Sequence, residues 1–324
     1  MSPADPGRRP TTRFAPAPTG RLHLGHLANA IFVWGLARAA GGRVLLRIED
    51  HDRQRCRPEY ARALLDDLDR LGIAADEPST DELRGGPSSY RQSDNGSVYA
   101  AAVDALRGVA DVYACDCSRA TFAAWREAHG RAFGGPGGAG CPGGCRDRRI
   151  DPNRTDIGLR VGMGAGDEAW DDLLLGLRSA PVAADGDLLV RDRHANWTYA
   201  LCVVVDDLRH GVDLVVRGED LVDSTATQIR LGRLLGRHVP PTFAHHPLVR
   251  RPDGSKLSKA DGATAIGELL AAGASREELF GEAAWRVGLL TSAQPITFDA
   301  AMDLLAAWPT LSSARAGTSG PRSA

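Results

Sequence analysis

The stretch 13-RFAPAPTGRLHLGHLANAIFVWGLARAAGG-42, continued by 43-RVLLRIED-50, carries the decisive pattern in this 324-residue chain. It opens as a short strand that breaks into a Pro/Gly loop. From about His26 to Ala40 the apolar residues predict an amphipathic helix, and Gly41-Gly42 stops it, because glycine enters the left-handed region freely. A compact apolar strand follows and ends in Glu49 and Asp50. Residues 58–72 return to helical spacing through Tyr60, Leu64, Leu65, Leu68 and Leu71. The order β-α-β-α predicts an α/β protein with a parallel, doubly wound sheet.

Further along, residues 97–109 read as another helix. The composition then changes: 130-GRAFGGPGGAGCPGGCRDRR-149 is too rich in glycine to be the interior of an element. The segment 111–195 therefore reads as an insertion. The sheet is expected to resume with strands in 200-ALCVVVDDL-208 and 212-VDLVVRGEDL-221, followed by a helix at 224–236. The chain divides into a disordered N-terminus (1–12), a first half of the sheet domain (13–110), the insertion (111–195), a second half (196–263), a helical segment (264–310) and a disordered tail (311–324).

Apolar residues make up 43% and charged residues 25%, the balance of a soluble globular protein. The net charge of −2 provides no bulk basic field, so a nucleic-acid partner has to be met by a local patch. No apolar run approaches the ~20 residues of a membrane span. The start, MSPADPGRRPTTR, lacks the apolar core of a secretory signal. A cytoplasmic location with no membrane partner is expected. The six cysteines then suggest metal binding or burial rather than disulfides.

Two short motifs carry chemistry. In 23-HLGH-26, His23 and His26 stand where the Pro/Gly loop becomes a helix, and Gly25 lets a ligand approach the backbone. A helix start presents N–H groups and a positive dipole end, which suits a nucleotide phosphate gaining charge in a transition state. A solvent-facing histidine pair or a partial metal site is the plainer alternative. In 254-GSKLSKADG-262, Lys256 and Lys259 are the only lysines beside 37 arginines, taking them from the 39 Lys+Arg. An ammonium is a compact charge on a flexible stem, fitted to reach a phosphate from a loop, where guanidinium is a broad fork. The bland reading is a solvated basic turn.

Taken together, HLGH and KLSKA resemble the HIGH and KMSKS signatures of class I aminoacyl-tRNA synthetases. RFAPAPTGRLHLGH, LLRIED and VVVDDLRHGVDLVVRGEDL further resemble the glutamyl branch, over roughly residues 12–265. The resemblance implies a Rossmann-like class I catalytic domain with an inserted zinc-containing, acceptor-binding-type subdomain and a short C-terminal helical segment. It implies a ligase that activates L-glutamate with ATP and Mg2+ to an adenylate and transfers it to an acceptor. His23, Gly25, His26 and Lys259 would bind ATP. His23, His26, Lys256 and Lys259 would act in catalysis, Lys259 foremost.

Glutamate brings two carboxylates and one ammonium, and arginine takes a carboxylate bidentately. Arg13 and Arg217 lie in or beside strands that can meet at one sheet edge, Glu49 can hold the ammonium, and Tyr199 can add a hydroxyl. The resemblance assigns the amino-acid site to these positions together with Phe14, Ala15, Pro16 and Ala17. One departure is Ala17, where the branch commonly has a serine (APSPTG); backbone contact survives that change.

The pairs 115-CDC-117 and 141-CPGGC-145 supply four thiolates, a set that satisfies one tetrahedral zinc. Some glutamyl-type enzymes hold zinc in this insertion with a CxC pair and a later Tyr-x-x-x-Cys, and Cys141 takes the tyrosine position here. The resemblance thus implies one structural zinc on Cys115, Cys117, Cys141 and Cys145.

Only some 59 residues follow Ala265 (324 − 265), too few for the helical anticodon reader of a charging enzyme. With the CxC insertion, this resembles the glutamyl-Q tRNA(Asp) synthetases, which attach glutamate to the queuosine base of tRNA(Asp). A monomer is expected. The alternatives are a glutamyl-tRNA synthetase charging the tRNA 3′ end without its own anticodon domain, a zinc-containing RNA-binding paralogue without turnover, and a non-tRNA adenylate-forming ligase.

Overall fold

The computed structural model describes residues 9–118, 120–121, 123–124, 127, 141, 144–154, 156–182, 186–249 and 264–307. Strand β1 (Thr11–Phe14) runs parallel to β2 (Arg43–Leu46), with Thr11 opposite Arg43 and Phe14 opposite Leu46. Helix α1 (Leu24–Ala39) makes the crossover between them. A second parallel pair is β8 (Leu214–Gly218) and β9 (Thr242–His246), in register from Leu214–Thr242 to Gly218–His246. The Asp213 N–H reaches the Thr11 carbonyl at 3.0 Å, and the Thr11 N–H reaches the Asp213 carboxylate at 2.6 Å, so the two pairs lie side by side. Four parallel strands thereby point their carboxyl ends toward one edge.

α1 is not amphipathic in the expected sense. Leu27, Ala28, Ala30, Ile31, Phe32, Val33, Gly35, Leu36 and Ala37 are all buried, leaving little of its surface to water. Its other sides pack against α8 (Arg276–Arg286) and α9 (Phe298–Asp303) from the C-terminal helical segment. Within α8, a Cβ on Gly281 would stand 1.8 Å from the Gln294 carbonyl oxygen, so glycine alone permits this approach. Gly281→Ala is expected to lower stability by about 1–3 kcal/mol through overpacking, read as a fall in thermal midpoint; an unchanged midpoint would show that the 294 loop yields freely.

Three sequence expectations are corrected. Thr11 and Thr12 are buried strand residues, against the expectation of disorder through residue 12, while residues 1–8 lie outside the described ones. The run 200-ALCVVVDDL-208 is not a strand but lies in helix α5 (Tyr199–Arg209). Leu201 to Asp207 are all buried there, and an apolar run buried on every side has no period to separate strand from helix. Three successive valines favoured the strand, but tertiary burial overrode that preference. Third, the segment 111–195 is not one separate layer. Its strands β3 (Val112–Cys115), β4 (Gly158–Val161) and β7 (Leu188–Arg191) form an antiparallel sheet of their own. Its hairpin β5 (Asp167–Asp172) and β6 (Gly176–Pro181) joins the main sheet instead, β5 meeting β9 at Asp172–Phe243. Glu168 on β5 also takes Arg230 at 2.8 Å and Arg233 at 2.9 Å, both from helix α6 (Thr225–Leu234).

Candidate active site and cysteine cluster

A cavity of about 570 Å³ opens where β1, β8 and β9 end and α1 begins. Ligands of open α/β sheets sit at this edge. Arg13, Phe14, Ala15, Pro16, Ala17, His23, Gly25, His26, Glu49, Tyr199 and Arg217 all line it. The structure thus brings together every described residue expected at the nucleotide and amino-acid sites. Lys256 and Lys259 lie outside the described residues.

The loop after β1 is fixed by its neighbours. The Arg47 N–H donates to the Phe14 carbonyl at 2.9 Å, the Glu49 N–H to that of Pro16 at 3.2 Å, and the Thr19 N–H to that of Ala17 at 2.8 Å. His23 is the N-cap of α1. Its Nδ1 accepts from the Gly25 N–H, while His26 Nδ1 accepts from the His23 N–H, both at 3.1 Å. The helix therefore starts earlier than expected, and two imidazoles form its capping box. Because each Nδ1 is an acceptor, each neutral ring carries its proton on Nε2. The Gly25 and His26 amides are engaged within the turn, to His23 Nδ1 and to the His23 carbonyl. A Cβ on Gly25 would meet the His23 ring at 2.9 Å, so this glycine protects the histidine geometry.

Deeper in, charges are stacked against one another. Arg13 Nε donates to Asp207 at 3.0 Å, and Arg47 reaches Asp207 at 2.7 Å and Glu49 at 2.9 Å. Burial would raise the Asp207 carboxyl, but Arg13 and Arg47 outweigh it and hold it below the usual range. Burial likewise opposes the Arg47 charge, while Asp207, Glu49 and Asp206 raise its pKa further.

Arg217 differs. Its partners are the His245 ring at 3.0 Å, Gln228 Oε1 at 2.6 Å, Thr225 Oγ1 at 2.8 Å and the Leu221 carbonyl at 3.3 Å, all neutral. It is 4% exposed, and burial pulls its pKa below the ordinary arginine value. Among the described residues it joins no salt bridge. A buried guanidinium without a carboxylate is costly unless a ligand supplies one. At this inner end Arg13 and Arg47 are paired with Asp207, Glu49 and Asp206, whereas Arg217 is held by neutral groups.

Sequence reasoning missed Arg47, Asp207, Asn29, Asp172, His245 and His246. A lone arginine between Leu46 and Ile48, and paired aspartates after three valines, were the available signals, since charge in an apolar run needs a partner. His246 lines the cavity, stacks on Phe32 at 4.9 Å and meets the Asn29 amide at 3.0 Å. Burial lowers its pKa to about 4, so it stays neutral near pH 7.

Apart from the cavity, Cys115, Cys117, Cys141 and Cys145 place their sulfurs within 4.8 Å of one another, with Cys117 and Cys145 at 3.3 Å. A tetrahedral site with Zn–S of about 2.3 Å needs S···S separations of about 3.8 Å. No pair is joined as a disulfide. Hydrogen bonding to Cys141, then burial, pushes the Cys115 thiol up, and burial with Cys145 pushes Cys117 to about 12. A divalent cation is what would let four sulfurs this close share the space as thiolates. Arg148 contacts Cys145 Sγ at 3.9 Å from outside. The donor set fits a metal.

Comparison with known proteins shows what the chain is similar to. The family model described as tRNA synthetases class I (E and Q), catalytic domain, matches residues 10–296. A glutamyl-Q tRNA(Asp) synthetase of Symbiobacterium thermophilum is 41% identical over 291 residues, 88% of this chain and 88% of its own length. One of Rhodobacter capsulatus is 40% identical over 282 residues, 83% of this chain and 97% of its own. A glutamate–tRNA ligase of Anaeromyxobacter sp. is 39% identical over 263 residues, 80% of this chain but 53% of its own. The crystal structure of a glutamate tRNA ligase from Elizabethkingia meningosepticum in complex with its amino acid shares the fold with a TM-score of 0.72 at 24% identity, covering 91% of this chain and 64% of that one. Among the described residues no helix is long and apolar enough to cross a membrane.

Proposed function

The chain belongs to the class I tRNA synthetases (E and Q) and is an aminoacyl-tRNA-type ligase, and on that premise we propose that it activates L-glutamate with ATP and passes the glutamyl group to the queuosine base of tRNA(Asp). The observation that carries the activation half is the cavity itself, which joins two capping imidazoles to a buried arginine that forms no salt bridge among the described residues. A glutamate α-carboxylate oxygen attacks the α-phosphorus of ATP, the bond to the bridging oxygen breaks, and pyrophosphate leaves with Mg2+. His23 and His26 stabilise charge on the α-phosphate through their Nε2–H groups. Arg13 and Arg217 hold glutamate by carboxylate, Glu49 takes its ammonium, and Tyr199 adds a hydroxyl contact. Lys256 and Lys259 complete the phosphate site. The protein's contribution is positioning and charge stabilisation.

The acceptor half is supported by the relatives named glutamyl-Q tRNA(Asp) synthetase, which this chain spans almost end to end. An acceptor hydroxyl attacks the glutamyl carbonyl and AMP leaves. The test supplies ATP and radiolabelled glutamate with queuosine-containing tRNA(Asp), the same tRNA without queuosine, and tRNA(Glu). Label on the first alone is expected. Label on tRNA(Glu) would instead make it a charging enzyme, the reading that the Anaeromyxobacter ligase favours.

We assign the four cysteines to one structural zinc. Zinc would tie Cys115 and Cys117 to Cys141 and Cys145, none of which lines the cavity. Purified protein is expected to carry about one zinc, and Cys115→Ser to lose it; unchanged metal content by mass spectrometry would refute the assignment.

A further inference from the structure

Behind Arg217 stands a buried line of two more side chains. His245 Nε2 accepts from Arg217 Nε at 3.0 Å, and His245 Nδ1 meets the Asp172 carboxylate at 2.5 Å. Both His245 and Asp172 side chains are wholly inaccessible to solvent. Neither lines the cavity, so neither touches substrate.

We infer that His245 and Asp172 are positioning residues for the substrate carboxylate: they fix the Arg217 guanidinium through its Nε, while Gln228, Thr225 and Leu221 hold its Nη atoms, so that the charge is presented to the cavity in one orientation. The inference rests on the amino-acid-activation reading above. With Gln228 on Nη1 and Thr225 and the Leu221 carbonyl on Nη2, the bond from Nε to His245 is the contact that ties the guanidinium to strand β9 and sets its plane. The imidazole can accept from Nε only when Nε2 carries no proton, which requires the Nδ1–H tautomer. Asp172 selects that tautomer. Its other oxygen takes the backbone N–H groups of Leu174 and Leu175 at 3.1 Å and of His245 at 3.2 Å, so the carboxylate cannot turn away. Burial keeps His245 from charging, and the hydrogen bond from His245 helps hold Asp172 ionised against its own burial. The Phe243 ring lies under the guanidinium, 5.3 Å from centroid to Cζ, and stacks with His245.

Strand β5 fixes the rest of the Arg217 shell as well. Glu168, on the same strand as Asp172, anchors Arg230 and Arg233 of α6, and α6 carries Thr225 and Gln228. A strand from the segment read as an insertion thus sets the orientation of the substrate arginine in the sheet domain.

The test is ATP–pyrophosphate exchange by the full chain, with glutamate, glutamine and aspartate offered separately. His245→Leu is expected to raise the KM for the preferred amino acid about tenfold or more, with the KM for ATP within about twofold. His245→Gln returns an acceptor oxygen near the Nε2 position and is expected to recover most of that loss. Asp172→Asn should fall between them. An unchanged amino-acid KM in His245→Leu, equal rises in both KM values, or no rescue by His245→Gln would each overturn the positioning role. If His245→Leu does not fold, Asp172→Asn decides: a selective rise supports the role and an unchanged KM overturns it. A wild-type chain that exchanges with no amino acid sinks the activation reading, and this inference with it. Exchange that persists unaltered in every variant sinks the positioning role alone.

Discussion

Arg217→Met is expected to cut kcat/KM for glutamate in pyrophosphate exchange by about tenfold to a hundredfold, because a charge-assisted hydrogen bond to a carboxylate contributes about 1.5–3 kcal/mol. The same change should move the unfolding midpoint little. The wild-type side chain buries a charge with neutral partners only, and replacing it by an apolar group of similar length removes that desolvation cost. Against this stand the hydrogen bonds lost to Gln228 and His245, each about 1 kcal/mol. The Thr225 hydroxyl lies 3.3 Å from His245 Nε2 and can turn to satisfy it. Large loss of activity with near-constant stability is what a residue held ready for a ligand should show. A collapse of stability in step with activity would mean that Arg217 is a structural residue, and the assignment of the substrate carboxylate would have to move to Arg13.

The parts of this site that were legible in the sequence are those whose chemistry is local. His23 and His26 cap one helix turn through contacts two and three residues away, so their spacing announced them. The cysteine pairs were legible for the same reason. Arg13, Glu49, Tyr199 and Arg217 are separated by long stretches, and a family resemblance was needed to group them. Asp207 and His245 escaped notice because their meaning lies in partners 194 and 73 residues away, Arg13 and Asp172. The misread α5 belongs here too. Its valines hid a helix in which neighbouring aspartates point about 100° apart, letting Asp206 serve Gln92 and Tyr99 while Asp207 serves Arg13 and Arg47. A strand would have sent them to opposite faces of the sheet.

Asp207→Asn should behave in the opposite way to Arg217→Met. It is expected to lower stability by about 3–5 kcal/mol, since it leaves two buried guanidinium groups with Glu49 and Asp206 as their only nearby carboxylates. Activity should fall as well, because Arg13 loses the contact that orients it. The pH dependence separates this ion cluster from other titrating groups. The Asp207 pKa is depressed in the folded chain, so its contribution is present above the unfolded value near 3.9 and is lost as pH falls through the folded value. The difference in stability between wild type and Asp207→Asn should therefore be constant above about pH 5 and shrink below about pH 4. His246 works in a different window. Its folded pKa of about 4 lies below the unfolded 6.5, so the unfolded chain binds the extra proton first and stability declines as pH drops from 6.5 toward 4. That decline occurs in both proteins and cancels in the difference. Urea unfolding of the pair from pH 3 to 7 makes the comparison. A difference that vanished already at pH 6, or one unchanged at pH 3, would show that the stabilisation does not depend on the charge of Asp207.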